Sequence, residues 1–86
     1  MANYRLEIKR SAAKELETLP AKDRGRVAAR IQALAEDPRP AGAEKLSGQE
    51  RYRVRQGDYR ILYEIHDEVL VIIVVKIGNR RDVYRK

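Results

Sequence analysis

The chain contains no cysteine and a single histidine, His66. The first absence excludes a disulfide framework, a thiolate metal site and a cysteine nucleophile. The second excludes a zinc site built from histidines alone, and any mechanism in which two histidines divide the acid and base roles. Long apolar runs are missing too. The longest, residues 69–75, has seven members, against the ~20 that a membrane-crossing helix needs. Charges at Arg5, Glu7, Lys9 and Arg10 interrupt the N-terminus before an apolar signal region can form. The expected location is the cytoplasm, with no membrane partner. No internal repeat, linker or low-complexity tract is present.

A length of 86 residues allows one domain and excludes a multidomain enzyme. A chain this short buries only about 60–65% of the surface it exposes when unfolded, so its core is small. Apolar residues make up 43% of the chain, too many for a disordered one. Charged residues make up 37%, with a formal net charge of +6, and 13 of the 19 cations are arginine. Two readings of that excess stand side by side. It points to an anionic partner, nucleic acid first, or it serves only to keep a small protein in solution.

Hydrophobic period orders the elements. Residues 4–9 alternate apolar and charged, the period of a strand with one buried face. Ser11 is placed to cap a short helix whose stripe is Ala12, Leu16 and Leu19 and which Pro20 ends. A second helix is expected over residues 22–36, with Val27, Ile31, Leu34 and Ala35 inward and Arg24, Arg26 and Arg30 elsewhere. Asp37-Pro38-Arg39-Pro40 stops it, because proline disfavours helical geometry in the preceding residue. Residues 41–49 read as a loop. Residues 51–55 and 59–65 alternate again around a turn at Gln56-Gly57-Asp58. A turn at His66-Asp67-Glu68 leads to a strand over residues 69–77. That last strand is apolar on nearly both faces, so a central position is expected, with the first strand beside it. The expected class is α+β, in the order β-α-α-β-β-β. A helical hairpin packs on one face of a four-stranded sheet that ends in an antiparallel meander.

Arg51, Arg53 and Arg55 recur at every second position. Strand geometry puts all three on one face, away from Tyr52 and Val54. Arg60 opens the next strand across the turn, on the face away from Tyr59 and Ile61. The four guanidinium groups then share a patch roughly 10 Å across, at ~3.3 Å per residue and ~4.8 Å between strands. Like charges at that density repel each other, and arginine's flat five-donor fork suits phosphate. The competing reading is an ordinary solvent face neutralised by Glu50, Asp58 and Glu64. The excess of arginine over lysine favours the anion-binding one.

Four segments then carry a resemblance. They are Lys45-Leu46-Ser47-Gly48, Tyr52-Arg53-Val54-Arg55, Gly57-Asp58-Tyr59-Arg60-Ile61-Leu62-Tyr63 and Gly78-Asn79-Arg80-Arg81-Asp82-Val83-Tyr84. In this order they closely resemble the RelE/ParE superfamily of toxins from bacterial and archaeal toxin–antitoxin systems, and within it the RelE branch. Ser11-Ala12 and Leu19-Pro20 extend the likeness toward the start. The resemblance implies one RelE-like toxin domain over residues 1–86. It implies a ribosome-dependent mRNA endoribonuclease that cuts in the A site by attack of a ribose 2′-hydroxyl on the neighbouring phosphate, with no metal and no cofactor. The implied partners are a cognate RelB-like antitoxin, the ribosome and mRNA, and operator DNA reached only through the antitoxin. The implied catalytic residues are Arg55, Arg60, Arg80 and Tyr84. Arg51, Arg53, Lys45 and Arg81 are the implied RNA-binding residues.

Elementary chemistry is compatible with that set. A phosphorane carries extra negative charge, and fixed cations stabilise it more than the ground state. Tyr84 either stacks on a base or packs on the sheet edge; stacking is worth ~1–3 kcal/mol per base. The founding RelE pattern has lysines where this chain has Arg53 and Arg55. Arginine, with a pKa above ~12, does not give up its proton, so the general base is left unassigned. His66 has a suitable intrinsic pKa but lies ~20 Å along the strand from Arg60, and Glu64 lies ~13 Å away. Both are read as non-catalytic, His66 as an exposed turn residue. Two other classes stay open on sequence alone: a ParE-like gyrase inhibitor that cuts no RNA, and a catalytically silent nucleic-acid-binding module.

Overall fold

A computed structural model of the chain describes residues 3–46 and 50–79. Its elements run β1 (Arg5–Ile8), α1 (Arg10–Glu17), α2 (Ala21–Leu34), β2 (Glu44–Lys45), β3 (Arg51–Gln56), β4 (Tyr59–His66) and β5 (Val71–Asn79). The strands form one sheet in the order β1-β5-β4-β3-β2. β1 runs parallel to β5, and every other pair is antiparallel. The α+β class, the hairpin of helices and the C-terminal meander are as expected. The sheet has five strands rather than four, because Glu44 and Lys45 pair with Arg53 and Tyr52 on the free edge of β3. Two residues are too few to leave a period in the sequence. Their pairing comes from the unsatisfied edge beside them.

Register shows which face is buried. Tyr52, Tyr63 and Val74 lie in one row, Val54, Ile61 and Ile77 in a second, and Leu6, Ile72 and Ile65 in a third. These rows join Ala12 of α1 and Val27, Ile31 and Leu34 of α2 in a single core. Full burial of each Val, Ile or Leu side chain contributes about 1.5–3 kcal/mol. β5 lies between β1 and β4, which is why its sequence is apolar on both faces. Buried Tyr63 stacks on Tyr52 with ring centroids 5.9 Å apart and donates its hydroxyl to the Pro38 carbonyl at 2.7 Å. Desolvation pushes that hydroxyl up to about 12.

Local expectations are corrected at several points. α1 starts at Arg10, and Lys9 is its N-cap with no side-chain cap bond, so Ser11 already lies inside the first turn. The Lys9 N–H still bonds the Val74 carbonyl at 3.0 Å, while the Lys9 carbonyl takes the Ala13 N–H at 2.9 Å. The chain thus passes from sheet to helix at one residue and leaves no cap position for Ser11. Next, α2 spans residues 21–34 rather than 22–36, with Pro20 as its N-cap, and α1 ends at Glu17 with Thr18 as its C-cap, before Leu19 and Pro20 are reached. Finally, β5 starts at Val71, not at residue 69. Val69 and Leu70 belong to the turn and are exposed, and Leu70 takes a positive φ of 55°. His66 closes β4 instead of sitting in that turn.

Two groups of side-chain contacts tie the elements together. The Glu15 carboxylate accepts the Ile77 N–H at 2.8 Å and the Lys76 ammonium at 2.9 Å, beside the register shift between β4 and β5. After α2, Arg39 fastens the returning loop. It donates to Asp67 at 3.0 Å and to the Tyr52 hydroxyl at 3.1 Å, while Tyr4 donates to Asp67 at 2.7 Å. No helix among the described residues is long and apolar enough to cross a membrane.

Candidate functional site

The β3–β4 hairpin turns through Gly57 and Asp58. Gly57 has φ +60°, the geometry that a two-residue turn with glycine first requires. This tight turn sets Arg55 directly opposite Arg60. Paired residues share a face, so both side chains leave the sheet on the face opposite that of Val54 and Ile61. One rung along, Glu44 of β2 is opposite Arg53. On the far side of Arg60 the partner is Gly78, which adds no side chain to the row. The result is an open cleft of about 390 Å³ lined by Arg30, Gly42, Glu44, Arg53, Arg55 and Arg60.

Charge in this cleft is uneven. Arg60 is 2% exposed, whereas Arg55 is open to solvent. Arg53 donates a charged hydrogen bond to Glu44. That bond, then the charges of Arg53, Arg55 and Arg60, holds the Glu44 carboxyl below the usual range. Glu44 therefore stays ionised, in the field of three arginines. The arrangement suits an anion with several acceptor oxygens, because each guanidinium offers a planar donor fork.

Not every expected residue enters the cleft. Arg51 donates to Glu64 at 3.1 Å, and Glu64 also bonds His66 at 3.0 Å, so this group forms its own cluster toward the other end of β4. Those two partners hold the Glu64 carboxyl low, the His66 bond being the larger cause. Neither Glu64 nor His66 lines the cleft. Lys45 is registered with Tyr52, so it points to the opposite side from Arg53, and it lies 4.0 Å from Glu50. Arg80, Arg81 and Tyr84 lie outside the described residues. Among the described residues no group of three or more His, Asp or Glu is placed to hold a metal ion.

Residues 6–84 match the family described as the ParE toxin of the type II toxin–antitoxin system parDE. The chain belongs to this toxin family. Among solved structures, the toxin is similar to the RelE of the archaeal RelE–RelB complex from Pyrococcus horikoshii OT3. The two are 30% identical, with 98% of this chain and 99% of that one covered and a TM-score of 0.83. It is also similar to the isolated Escherichia coli RelE toxin, 28% identical over 88% of this chain and 83% of that one, with a TM-score of 0.78. Toxin RelG of Mycobacterium tuberculosis is 37% identical over 35 residues, 41% of this chain. That last match spans only 40% of the relative's length. The chain is thus a toxin of the RelE fold from a type II toxin–antitoxin system.

Two charged residues of the toxin's cleft carry no signal in the sequence. Arg30 was placed off the core stripe of α2, but no periodicity tells that it reaches a cleft on the sheet. Glu44 sat in a stretch read as loop. Only its pairing with Arg53 brings it among the arginines. In both cases the missing information is a contact across the fold.

Proposed function

We propose that this toxin is a ribosome-dependent mRNA endoribonuclease of the RelE type that inhibits translation in the cytoplasm. The observation that carries the reading is the convergence of Arg53, Arg55 and Arg60 on one cleft. The scissile phosphate sits there, with the strand presented by the ribosome. The ribose 2′-oxygen forms a bond to phosphorus as its proton leaves, and the bond to the 5′-oxygen of the next nucleotide breaks. A cyclic phosphate and a 5′-hydroxyl result. Arg55 and Arg60 stabilise the extra charge of the phosphorane, which strengthens their bonds in the transition state over the ground state. Arg53 holds the strand. Arg80 supplies a further cation to the same phosphate. Tyr84 stacks on the nucleotide, and Arg81 contributes to RNA binding. Arg51 and Lys45 act outside the cleft, on flanking RNA or the ribosome. No cofactor takes part in these steps.

A cognate RelB-like antitoxin holds the toxin inactive and brings the complex to operator DNA. The RelE–RelB complex from Pyrococcus horikoshii OT3 supports that partnership. The decisive experiment incubates purified toxin with ribosomes carrying a defined mRNA and maps the ends by primer extension. Cleavage confined to the A site is expected; intact message with a folded protein refutes the reading.

The family match is to a ParE toxin, which favours one rival: inhibition of DNA gyrase without RNA chemistry. A supercoiling assay separates the two. Gyrase inhibition with no mRNA cleavage establishes the rival.

A further inference from the structure

The cleft contains one anion of its own. Glu44 lies in a two-residue strand held to β3 by two rungs, Glu44 with Arg53 and Lys45 with Tyr52. Its side chain is 64% exposed, while that of Arg53 is 22% exposed. The carboxylate is therefore at the solvent mouth of the site, and the guanidinium it meets is mostly covered. Carboxylate and phosphate oxygens use the same face of an arginine fork. An RNA phosphate reaching Arg53 meets a group already bonded there, on a flexible stem at the sheet edge.

We infer that Glu44 is a specificity-determining residue, a resident competitor whose carboxylate occupies Arg53 until an RNA phosphate displaces it. The inference rests on the reading of the cleft as a phosphate site and adds what regulates its affinity. In the absence of RNA, Glu44 offsets the repulsion among Arg53, Arg55 and Arg60. When a phosphate binds, the displaced carboxylate remains nearby as a like charge. A lone phosphate ion gains little from the exchange. A strand that offers several linked phosphates to the same arginines gains more, because the second contact is intramolecular. Glu44 thus biases the cleft toward polynucleotide and against free phosphate. The lowered Glu44 pKa is in keeping with this, since the Arg53 bond and the charges of Arg53, Arg55 and Arg60 favour the carboxylate.

The test compares the full chain with Glu44→Gln, which keeps the shape and removes the charge. Glu7→Gln on β1, at the far edge of the sheet, controls for net charge alone. Affinity is measured in two arms, inorganic phosphate and a short single-stranded 2′-O-methyl oligonucleotide that cannot be cleaved. Glu44→Gln is expected to bind both more tightly, by roughly three- to tenfold, with the larger relative gain for inorganic phosphate. Glu7→Gln stays within about twofold of wild type on the same scale. A wild-type measurement avoids dependence on the variant's folding. The Glu44 carboxyl, followed by carbon NMR, should titrate at higher pH once phosphate saturates the cleft.

Unchanged or weaker affinity in Glu44→Gln overturns the inference, as does a Glu44 titration indifferent to phosphate. Failure of wild type and Glu44→Gln alike to bind either ligand overturns it together with the phosphate-site reading. Tighter binding by Glu44→Gln with no mRNA cleavage on ribosomes upholds the competitor and refutes the nuclease alone.

Discussion

Arg55→Ala separates the work of the cleft from the stability of the fold. Arg55 is solvent-exposed, is not a member of the core and stands directly opposite Arg60. Directly opposed residues have Cβ atoms ~5 Å apart. Two unit charges ~6 Å apart repel by about 0.7 kcal/mol in water and about 3 kcal/mol at an effective dielectric of 20. An exposed side chain falls at the lower end. Truncation should therefore leave stability within about 0.5 kcal/mol of wild type or raise it slightly. For a domain of this size that is a change in Tm of about 2–4 °C at most. The effect on catalysis should be far larger. Loss of one fixed donor to a developing oxyanion typically lowers the rate about 10²- to 10³-fold. Single-turnover cleavage of ribosome-bound mRNA, read beside a thermal melt by circular dichroism, gives both quantities. Cleavage within a few-fold of wild type refutes the role given to Arg55. A large fall in Tm accompanying the loss reassigns Arg55 to the fold.

Other outcomes follow from the same contacts. Tyr63→Phe removes the buried hydroxyl that bonds the Pro38 carbonyl, and unfolding should cost about 1–2 kcal/mol less, lowering Tm in a melt. Gly25→Ala should stabilise by about 0.5–1 kcal/mol, because the position lies inside α2 and an added Cβ meets nothing within 4 Å. Acid should destabilise the toxin. The Asp67 carboxyl is held low by Arg39 and then Tyr4, Glu44 by Arg53, and Glu64 by His66 and then Arg51. Each carboxylate whose folded value is depressed contributes stability above its unfolded pKa of ~4 and loses it as pH falls through the folded value. Tm should be flat from neutral pH to about 5 and fall below about 4, and Arg39→Gln should flatten the Asp67 share of that fall.

Much of this architecture was legible because its signals are local. The alternation of Arg5-Leu6-Glu7-Ile8 and of β3 and β4 assigns each side chain to a face before any contact is known. The two-sided apolar run of β5 announces a strand with neighbours on both edges. Of the four arginines expected to share a patch, strand parity and a two-residue turn suffice to bring Arg53, Arg55 and Arg60 to one cleft, while Arg51 pairs with Glu64 instead. What stayed hidden depends on contacts across the chain. β2 exists only because β3 has an open edge. Val69 and Leu70 are apolar yet sit in a turn, since hydrophobicity does not mark where a strand starts. Ser11 lost its cap role because Lys9 is still bonded to Val74 when α1 begins. Arg30 and Glu44 join the cleft through tertiary approach, which no spacing encodes.

The cleft also explains a tension in the composition. A small core must hold a sheet whose outer face concentrates arginine. The fold meets this by distributing carboxylates: Glu64 on Arg51, Glu44 on Arg53 and Glu15 on Lys76. Exposed pairs of this kind contribute little stability individually. Their effect is to separate cations that would otherwise repel and to leave Arg55 facing solvent.

Guanidinium NMR of the toxin, titrated with a 2′-O-methyl single-stranded oligonucleotide, tests most directly whether RNA phosphate is held by the arginines of this one cleft. The Nε–H signals of Arg53, Arg55 and Arg60 should then move together and saturate at one concentration, while those of Arg5, Arg10 and Arg24 stay still. Movement on the latter three with the cleft signals unchanged would contradict it.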